Sequence, residues 1–152
     1  MKIAIAGGTG FVGKALSELL LRDGHELFIL TRNIKNKRDR RGVTHIEWFG
    51  ENSRPEKKLE GVDALINLSG ESINNRWTSK TKQEILNSRV KASQEMARII
   101  QRLDQKPHVY MQASAVGFYG TSITDTFTEN DEKCGDDFLA RVVSKWEQEG
   151  RQ

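Results

Sequence analysis

Apolar residues in this chain alternate between short continuous runs, typical of strands, and longer segments with helical spacing. The predicted strands cover residues 2–6, 26–31, 44–48, 62–68 and 108–113, and the predicted helices cover 11–22, 79–104 and 136–148. The run Leu27–Leu30 is apolar throughout, as in a strand buried on both faces of a parallel sheet. Strands that alternate with helices predict an α/β fold with a doubly wound parallel sheet and right-handed crossovers.

Apolar positions recur with helical spacing in the two later helices. In the longest helix they are Leu86, Val90, Met96, Ala97, Ile100 and Leu103, and in the last helix the predicted buried side carries Phe138, Leu139, Val142, Val143 and Trp146. Residues 50–61 are polar, and Pro55 excludes a regular strand there.

Three glycines, Gly7, Gly10 and Gly13, separate the first predicted strand from the first predicted helix. Gly7 permits a tight turn, Gly10 lets the backbone approach a pyrophosphate, and Gly13 lets the helix pack closely on the strand. The phosphates would then meet the unpaired N–H groups and the positive dipole end of the helix. Strand, glycine turn and helix in this order predict a Rossmann-like dinucleotide site. The residues predicted to bind the cofactor here are Gly7, Thr9, Gly10, Phe11, Val12 and Gly13.

Size, charge and cysteine content narrow the class of protein. The 152 residues are 36% hydrophobic, which suits one domain, and no apolar run approaches the ~20 residues that span a bilayer. A single cysteine, Cys134, excludes an internal disulfide, so we expect a cytoplasmic location. The net charge of +3 reflects a basic segment at 32–41 without interleaved aromatic residues. No nucleic-acid partner, membrane partner or metal site is therefore predicted.

The end of the second predicted strand indicates which dinucleotide binds. In a Rossmann unit an acidic residue at this point binds the 2′-hydroxyl of NAD, whereas an arginine accommodates the 2′-phosphate of NADP. The strand ends Thr31-Arg32-Asn33 without a carboxylate, and the planar guanidinium of Arg32 suits a phosphate. Lys35 would add a second positive charge. Thr31 and Arg32 are therefore predicted to favour NADP over NAD, the other interpretation being that Arg32 is an ordinary surface residue.

A second group of candidate cofactor residues follows the strand at 62–68, at the sheet edge where ligands bind. The group comprises Leu68, Ser69, Gly70 and Glu71. Asn67 either ties neighbouring loops together or is a simple turn residue. Arg76 either meets an anionic substrate group or is a surface charge. Thr78 or Ser79 is placed to cap the longest helix.

Four segments of the chain resemble one known family. They are GGTGFVG at 7–13, NLSGE at 67–71, NRWTSKTKQEILNSRV at 75–90 and SAVGFYG at 114–120. Together they resemble the epimerase family, or sugar-nucleotide-epimerase-like proteins, which are atypical extended short-chain dehydrogenase/reductases. The resemblance runs from Met1 to about Trp146. It implies that residues 1–152 form the NADP-binding Rossmann domain found in the N-terminal part of such proteins.

The resemblance also implies candidate catalytic residues. Ser114 falls near the serine that hydrogen-bonds a substrate carbonyl or hydroxyl in extended short-chain dehydrogenases. Their Tyr-x-x-x-Lys motif would place Lys145 at the nicotinamide ribose, but Arg141 stands at the tyrosine position. Arginine is a poor acid–base group because it stays protonated. Tyr119, in the GFYG turn, is a further candidate for the proton transfer, although this turn usually shapes the site in related enzymes.

The function implied is that of an NADP-dependent oxidoreductase or sugar-nucleotide epimerase or reductase, acting on a nucleotide sugar or another carbonyl compound. Family members usually continue for as many residues again, so we expect this chain to lack the substrate domain and to be incomplete for turnover. The alternative is a non-catalytic module that binds or senses NADP. A shortened sheet would also expose an edge or an apolar surface that favours a homo-oligomer.

Overall fold

The strands of the computed structural model, which describes residues 1–50 and 52–151, form one parallel sheet. They are β1 (Lys2–Ala6), β2 (Glu26–Thr31), β3 (Val43–Glu47), β4 (Ala64–Asn67) and β5 (Val109–Gln112). Their order across the sheet is β3-β2-β1-β4-β5, and every neighbouring pair is parallel. The chain therefore moves outward from β1 to β3 and then crosses to the other side at β4. This reversal creates a topological switch point between β1 and β4, where ligands bind in such sheets.

Helices cover both faces of the sheet, which confirms the predicted doubly wound α/β fold. They are α1 (Phe11–Arg22), α2 (Glu56–Leu59), α3 (Ser79–Arg102) and α4 (Phe138–Gly150), with a single 3₁₀ turn at Val116–Tyr119. The bounds of β1, α1 and β2 are those predicted. The polar segment 50–61, in which no helix was predicted, contains α2, which starts directly after Pro55, whose φ of −60° suits a helix start.

Alternate residues of the strands point to opposite faces and build two separate apolar layers. On one face α1 packs Leu16, Leu20 and Leu21 against a layer that includes Ile5 and Ile66. On the other face α2 and α3 contribute to a larger layer with these buried members: Ala4, Ala6, Leu30, Ile46, Trp48, Leu59, Val62, Leu65, Ala92, Met96, Ile99 and Leu103. The central strands are thus buried on both sides of the sheet.

The apolar positions of α3 coincide only in part with its buried face. The buried residues of the helix are Ile85, Ala92, Ser93, Met96 and Ile99, whereas Leu86, Val90, Ala97 and Ile100 are only half-buried. The difference arises because α3 packs against both the sheet and α4, so its buried stripe is shared between two neighbours. In α4, Phe138 and Leu139 are likewise half-buried, while Val142, Val143 and Trp146 are buried as predicted.

One part of the sheet is less well covered than the rest. On the face that carries α1, the β5 side chains of Val109 and Met111 are 41% and 55% exposed. Each lies beside a buried β4 residue in the sheet register, Ala64 and Ile66 respectively. Within the described residues, no helix is both long and apolar enough to cross a membrane.

Candidate cofactor cleft and neighbouring catalytic residues

The glycine turn between β1 and α1 is built so tightly that two of its glycines admit no side chain. Gly7 has φ +79°, and a Cβ placed on it would lie 2.7 Å from the carbonyl oxygen of Leu68. A Cβ on Gly13 would lie 2.2 Å from the carbonyl oxygen of Gly7 and 2.6 Å from Cα of Gly8. Gly10 is different, because its Cβ would meet only the Gly7 oxygen at 3.2 Å. Gly7 and Gly13 therefore serve internal packing, and Gly10 keeps the outer side of the turn clear.

The amino end of α1 presents backbone N–H groups to this turn. The N–H of Gly10 donates to Gly7 O at 2.9 Å, and no side chain caps the helix. The first helical N–H groups have no partner within a helix. Phe11 and Val12, at the start of α1, are 96% and 60% exposed. The end of the helix is therefore a ready site for an anion such as a phosphate.

A cleft of about 640 Å³ lies at the switch point, between the glycine turn and the loop after β4. Nine of the twelve residues predicted to bind the cofactor line it: Gly7, Thr9, Gly10, Thr31, Arg32, Leu68, Ser69, Gly70 and Glu71. The other three, Phe11, Val12 and Gly13, lie beside it at the start of α1. Its volume is within the range of ligand and cofactor sites. The glycine cradle and the clear face at Gly10 fit a pyrophosphate.

Asn67 ties the ends of β4 and β5 together beneath this cleft. Its side chain is fully buried, donates from Nδ2 to Gln112 Oε1 at 3.0 Å, and accepts at Oδ1 from the N–H of Ser69 at 3.1 Å. The same Gln112 oxygen accepts from Ser93 Oγ of α3 and from the hydroxyl of Tyr110. Burial raises the pKa of that tyrosine, so it stays a donor at neutral pH. The network fixes where the loop after β4 leaves the sheet.

Two residues of α3 hold the continuation of that loop. Ser88 Oγ accepts from the N–H of Glu71 at 2.9 Å, and Arg89 Nη1 donates to Glu71 O at 3.1 Å. Gly70 leaves room for this arginine, because a Cβ there would lie 2.9 Å from its guanidinium carbon. The guanidinium also lies 5.3 Å from the ring centre of Trp146 in α4. Desolvation lowers the pKa of Arg89 while Glu71 opposes the shift, and the group remains a cation.

A second, open cavity of about 1400 Å³ brings Ser114 and Tyr119 together beyond the end of β5. Ser114 Oγ donates to Glu147 Oε1 of α4 at 2.5 Å, and Arg151 Nη2 lies 3.3 Å from the other carboxylate oxygen. The ring of Tyr119 stacks on Phe127 with the planes 7° apart. The serine and the tyrosine thus share a cavity, and the serine is already held by a carboxylate.

Lys145 is not brought to either cavity. Its Nζ lies 2.9 Å from Glu149 Oε1, and the other oxygen of that carboxylate accepts from Gln94 of α3 at 3.0 Å. Arg141, at the position of the superfamily tyrosine, is exposed and donates to the carbonyl oxygen of Asp136. In this arrangement Glu149 joins α4 to α3 and Lys145 pairs with it within α4. The predicted contact of Lys145 with a nicotinamide ribose stays a prediction.

Sequence reasoning missed several residues that line the two cavities. In the cofactor cleft these are Leu30, Asn33, Lys37, Trp48, Phe49, Ser88, Lys91 and Ala92, and in the second cavity the chief one is Glu147. Lys35, which was expected to add a charge, does not line the cleft, whereas Lys37 does. Trp48 and Phe49 could have been identified from the sequence, because they directly follow β3 at the edge of the sheet where ligands bind. Among the described residues no cluster of metal-ligating side chains is found.

A glycine turn at the switch point of a parallel, doubly wound sheet defines a Rossmann-like α/β domain. The comparisons with known proteins narrow this class. The chain belongs to the NAD dependent epimerase/dehydratase family, whose model matches residues 3–138. The resemblance seen in the sequence is thereby confirmed.

Individual relatives are similar over nearly all of this chain. The epimerase family protein YfhF of Bacillus subtilis is 46% identical over 151 residues, which are 99% of this chain and 50% of the relative. A crystal structure of human epimerase family protein SDR39U1 (isoform 2) with NADPH is 31% identical, with a TM-score of 0.80 over 99% of this chain and 49% of that one. A crystal structure of a nucleoside-diphosphate sugar epimerase from Corynebacterium glutamicum is 35% identical, with a TM-score of 0.74 over 99% of this chain and 30% of that one. The chain thus spans about half the length, or less, of these relatives.

Proposed function

We propose that this chain is the NADP-binding domain, residues 1–152, of an epimerase-family oxidoreductase. The observation that carries the proposal is Arg32, an exposed guanidinium that lines the cleft at the end of β2 where a carboxylate would select NAD. Among the described residues Arg32 has no ion-pair partner, so its charge is available to a phosphate. The similar human protein, whose structure holds NADPH, supports the same choice. Family membership does not favour the non-catalytic alternative.

Each part of the cleft would hold one part of the cofactor. The turn Gly7–Gly13 and the N–H groups of α1 would bind the pyrophosphate, with Thr9 at the rim. Thr31 and Arg32 would bind the ribose that carries the 2′-phosphate. The loop Leu68–Glu71 would lie along the remaining ribose. When bound in this cleft, NADP would supply hydride-transfer chemistry at its nicotinamide ring.

The first test is binding of NADPH against NADH, by thermal melting and by nucleotide fluorescence. At 100 times the dissociation constant a ligand adds about 2.7 kcal/mol, or roughly 5–10 °C in a domain of this size. We expect NADPH to give this shift and NADH a smaller one. Arg32→Ala is expected to remove most of the difference, with Arg22→Ala, on the exposed side of α1, as control. Equal binding of both nucleotides by the unaltered chain would refute NADP selection.

For the chemistry, we propose that Ser114 donates a hydrogen bond to the oxygen of a carbonyl or hydroxyl substrate. The open cavity around Ser114 and Tyr119 supports this, since its lining begins just after β5, whose end is tied to β4 by a bond of 3.0 Å from Ala113 N–H to Asn67 O. Tyr119 and Lys145 are proposed as the further catalytic candidates. The similarity to a nucleoside-diphosphate sugar epimerase favours a nucleotide sugar as substrate.

The second test measures NADPH oxidation with a panel of nucleotide sugars and simple carbonyl compounds. Because this chain spans about half of its relatives, we expect little or no turnover from it alone. A polypeptide of the relatives' length that contains these residues should turn over, and Ser114→Ala in it should lower kcat by about 10²-fold or more while leaving NADPH binding intact. Robust turnover by residues 1–152 alone would contradict the proposed division of roles.

We also propose that this chain is cytoplasmic and that it associates with itself. The association is supported by the 41% and 55% exposure of Val109 and Met111 on the edge strand β5. Light scattering across a concentration series should show oligomers, and Met111→Lys should reduce them. A monomer at all concentrations would contradict self-association.

A further inference from the structure

The loop that follows β2 carries several positive charges and only one carboxylate. Residues 32–41 include Arg32, Lys35 and Lys37, with Asp39 as the single acid among them. The Asp39 carboxylate is occupied elsewhere, because its Oδ1 accepts from the backbone N–H of His45 in β3 at 2.7 Å and lies 3.2 Å from the His45 ring. These hydrogen bonds lower the pKa of Asp39, which keeps it ionised in that position. The cations of the loop therefore lack an acidic partner within it.

Local hydrogen bonds decide which of these cations reaches the cofactor cleft. Thr31 Oγ1 donates to Asn33 O at 3.1 Å, and Asn33 Oδ1 accepts from the N–H of Lys35 at 2.9 Å. A turn follows, closed by a bond of 2.9 Å from the N–H of Lys37 to Ile34 O. The turn reverses the chain, so that Lys37 returns to the cleft while Lys35 remains at its tip.

Two of the cations that line the cleft lie together at its β2 end. Arg32 and Lys37 line it beyond β2, and neither makes an ion pair with a described residue. Beyond β4 the lining includes Glu71, and α3 contributes a third cation, Lys91. A planar guanidinium and a mobile ammonium together match a phosphate dianion better than either cation alone, since one gives directed bonds and the other a point charge.

We propose that Lys37 is a second specificity-determining residue of this cleft, which binds the 2′-phosphate of NADP together with Arg32. The inference rests on the proposed function, because it concerns the same cofactor. The inference goes further than that function, because it assigns the selection of NADP over NAD to two side chains. One of them, Lys37, reaches the cleft only because of the turn at Ile34–Lys37. Lys35, two residues earlier and of the same chemical type, has no part in it.

The experiment compares Lys37→Ala with Lys35→Ala in the full chain, since both variants remove one exposed lysine from the same loop. Dissociation constants are measured for NADPH and NADH by fluorescence, and for 2′,5′-ADP by competition. We expect Lys37→Ala to weaken NADPH and 2′,5′-ADP about tenfold and to change NADH by less than about twofold. Lys35→Ala should change none of the three by more than about twofold, and Lys37→Arg should retain most of the preference. Melting curves without nucleotide check that every variant is folded.

Each outcome decides between the inference and the proposal beneath it. A chain that fails to bind NADPH, or that binds NADH equally well, overturns the proposed function. A chain that prefers NADPH, but in which Lys37→Ala has no effect, keeps that function and overturns the role of Lys37. Equal weakening by Lys37→Ala and Lys35→Ala also overturns it, because the effect would then be a general attraction of the basic loop. A selective loss in Lys37→Ala alone supports the pair.

Discussion

Replacing Gly13 by alanine tests most directly whether the turn and the first helix are packed as described. The new Cβ would lie 2.2 Å from Gly7 O, 2.6 Å from Gly8 Cα and 2.9 Å from Gly7 C. All three are backbone atoms of the turn, which a rotamer change cannot move. Helix α1 would have to separate from the turn, or the turn itself would have to change shape.

Two opposing effects set the size of the change. Alanine in a helix is favoured over glycine by about 1 kcal/mol. Overpacking costs about 1–3 kcal/mol, and we expect the upper end here because the contacts are with the backbone. The steric term therefore wins, and unfolding should become easier by roughly 2 kcal/mol, or about 4–8 °C in the melting temperature.

The measurement is urea unfolding followed by circular dichroism, together with NADPH titration of the folded variant. Gly24→Ala is the matched control, because Gly24 follows α1 at φ +81° with no atom within 4 Å of its Cβ position. That variant should lose about 1 kcal/mol through backbone strain and keep its affinity for NADPH. Gly13→Ala should lose both stability and affinity. A Gly13→Ala variant as stable as the unaltered chain would show that the close packing of α1 on the turn is incorrect.

Three further changes test other parts of the structure, each by urea unfolding. Thr78→Ala should cost about 1 kcal/mol, because Thr78 Oγ1 accepts from the N–H of Thr81 at the start of α3, and Ser79→Ala should cost much less. Asn67→Ala should cost about 1–3 kcal/mol by leaving the buried partners of its amide unpaired, and a smaller loss would mean that water replaces it. Hydrogen bonds from Lys145 and Gln94 lower the pKa of Glu149 in the folded protein. Its carboxylate therefore stabilises the fold fully at pH values above the pKa of an unfolded glutamate, about 4.3, and this stabilisation is lost as the pH falls through the pKa of the folded state. The stability difference between the unaltered chain and Glu149→Gln should therefore be present at pH 7 and narrow below about pH 4, whereas a difference independent of pH would contradict this origin.

Local sequence was sufficient for the parts of the fold that depend on neighbouring residues. The bounds of β1, α1 and β2 were predicted because each has a clear apolar pattern and a glycine within two residues of one of its ends. Thr78 and Ser79 were both named as caps, and the structure assigns the bond to Thr78 Oγ1. The short helix α2 was missed because four residues provide no measurable period.

The buried faces of α3 and α4 could be predicted only in part. Periodicity places apolar residues on one side of a helix, but α3 has two neighbours, the sheet and α4, and its buried stripe lies between them. The position of Arg89 could not be predicted from the sequence either. It is a charged residue by sequence, yet it lies beneath Gly70 and against Trp146, residues 19 and 57 positions away.

The candidate site likewise combines features that could be predicted from the sequence with features that only the structure shows. The sequence by itself determined the glycine turn, the absence of a carboxylate after β2, and the place of Arg32 at the end of that strand, because these features are encoded within a few consecutive residues. Only the tertiary structure decided that Lys37 and not Lys35 lines the cleft, and that Ser114 meets Glu147, 33 residues further along the chain. The physical reason is that a side chain's neighbours in a parallel sheet come from crossovers and turns, whose geometry depends on packing across the whole domain.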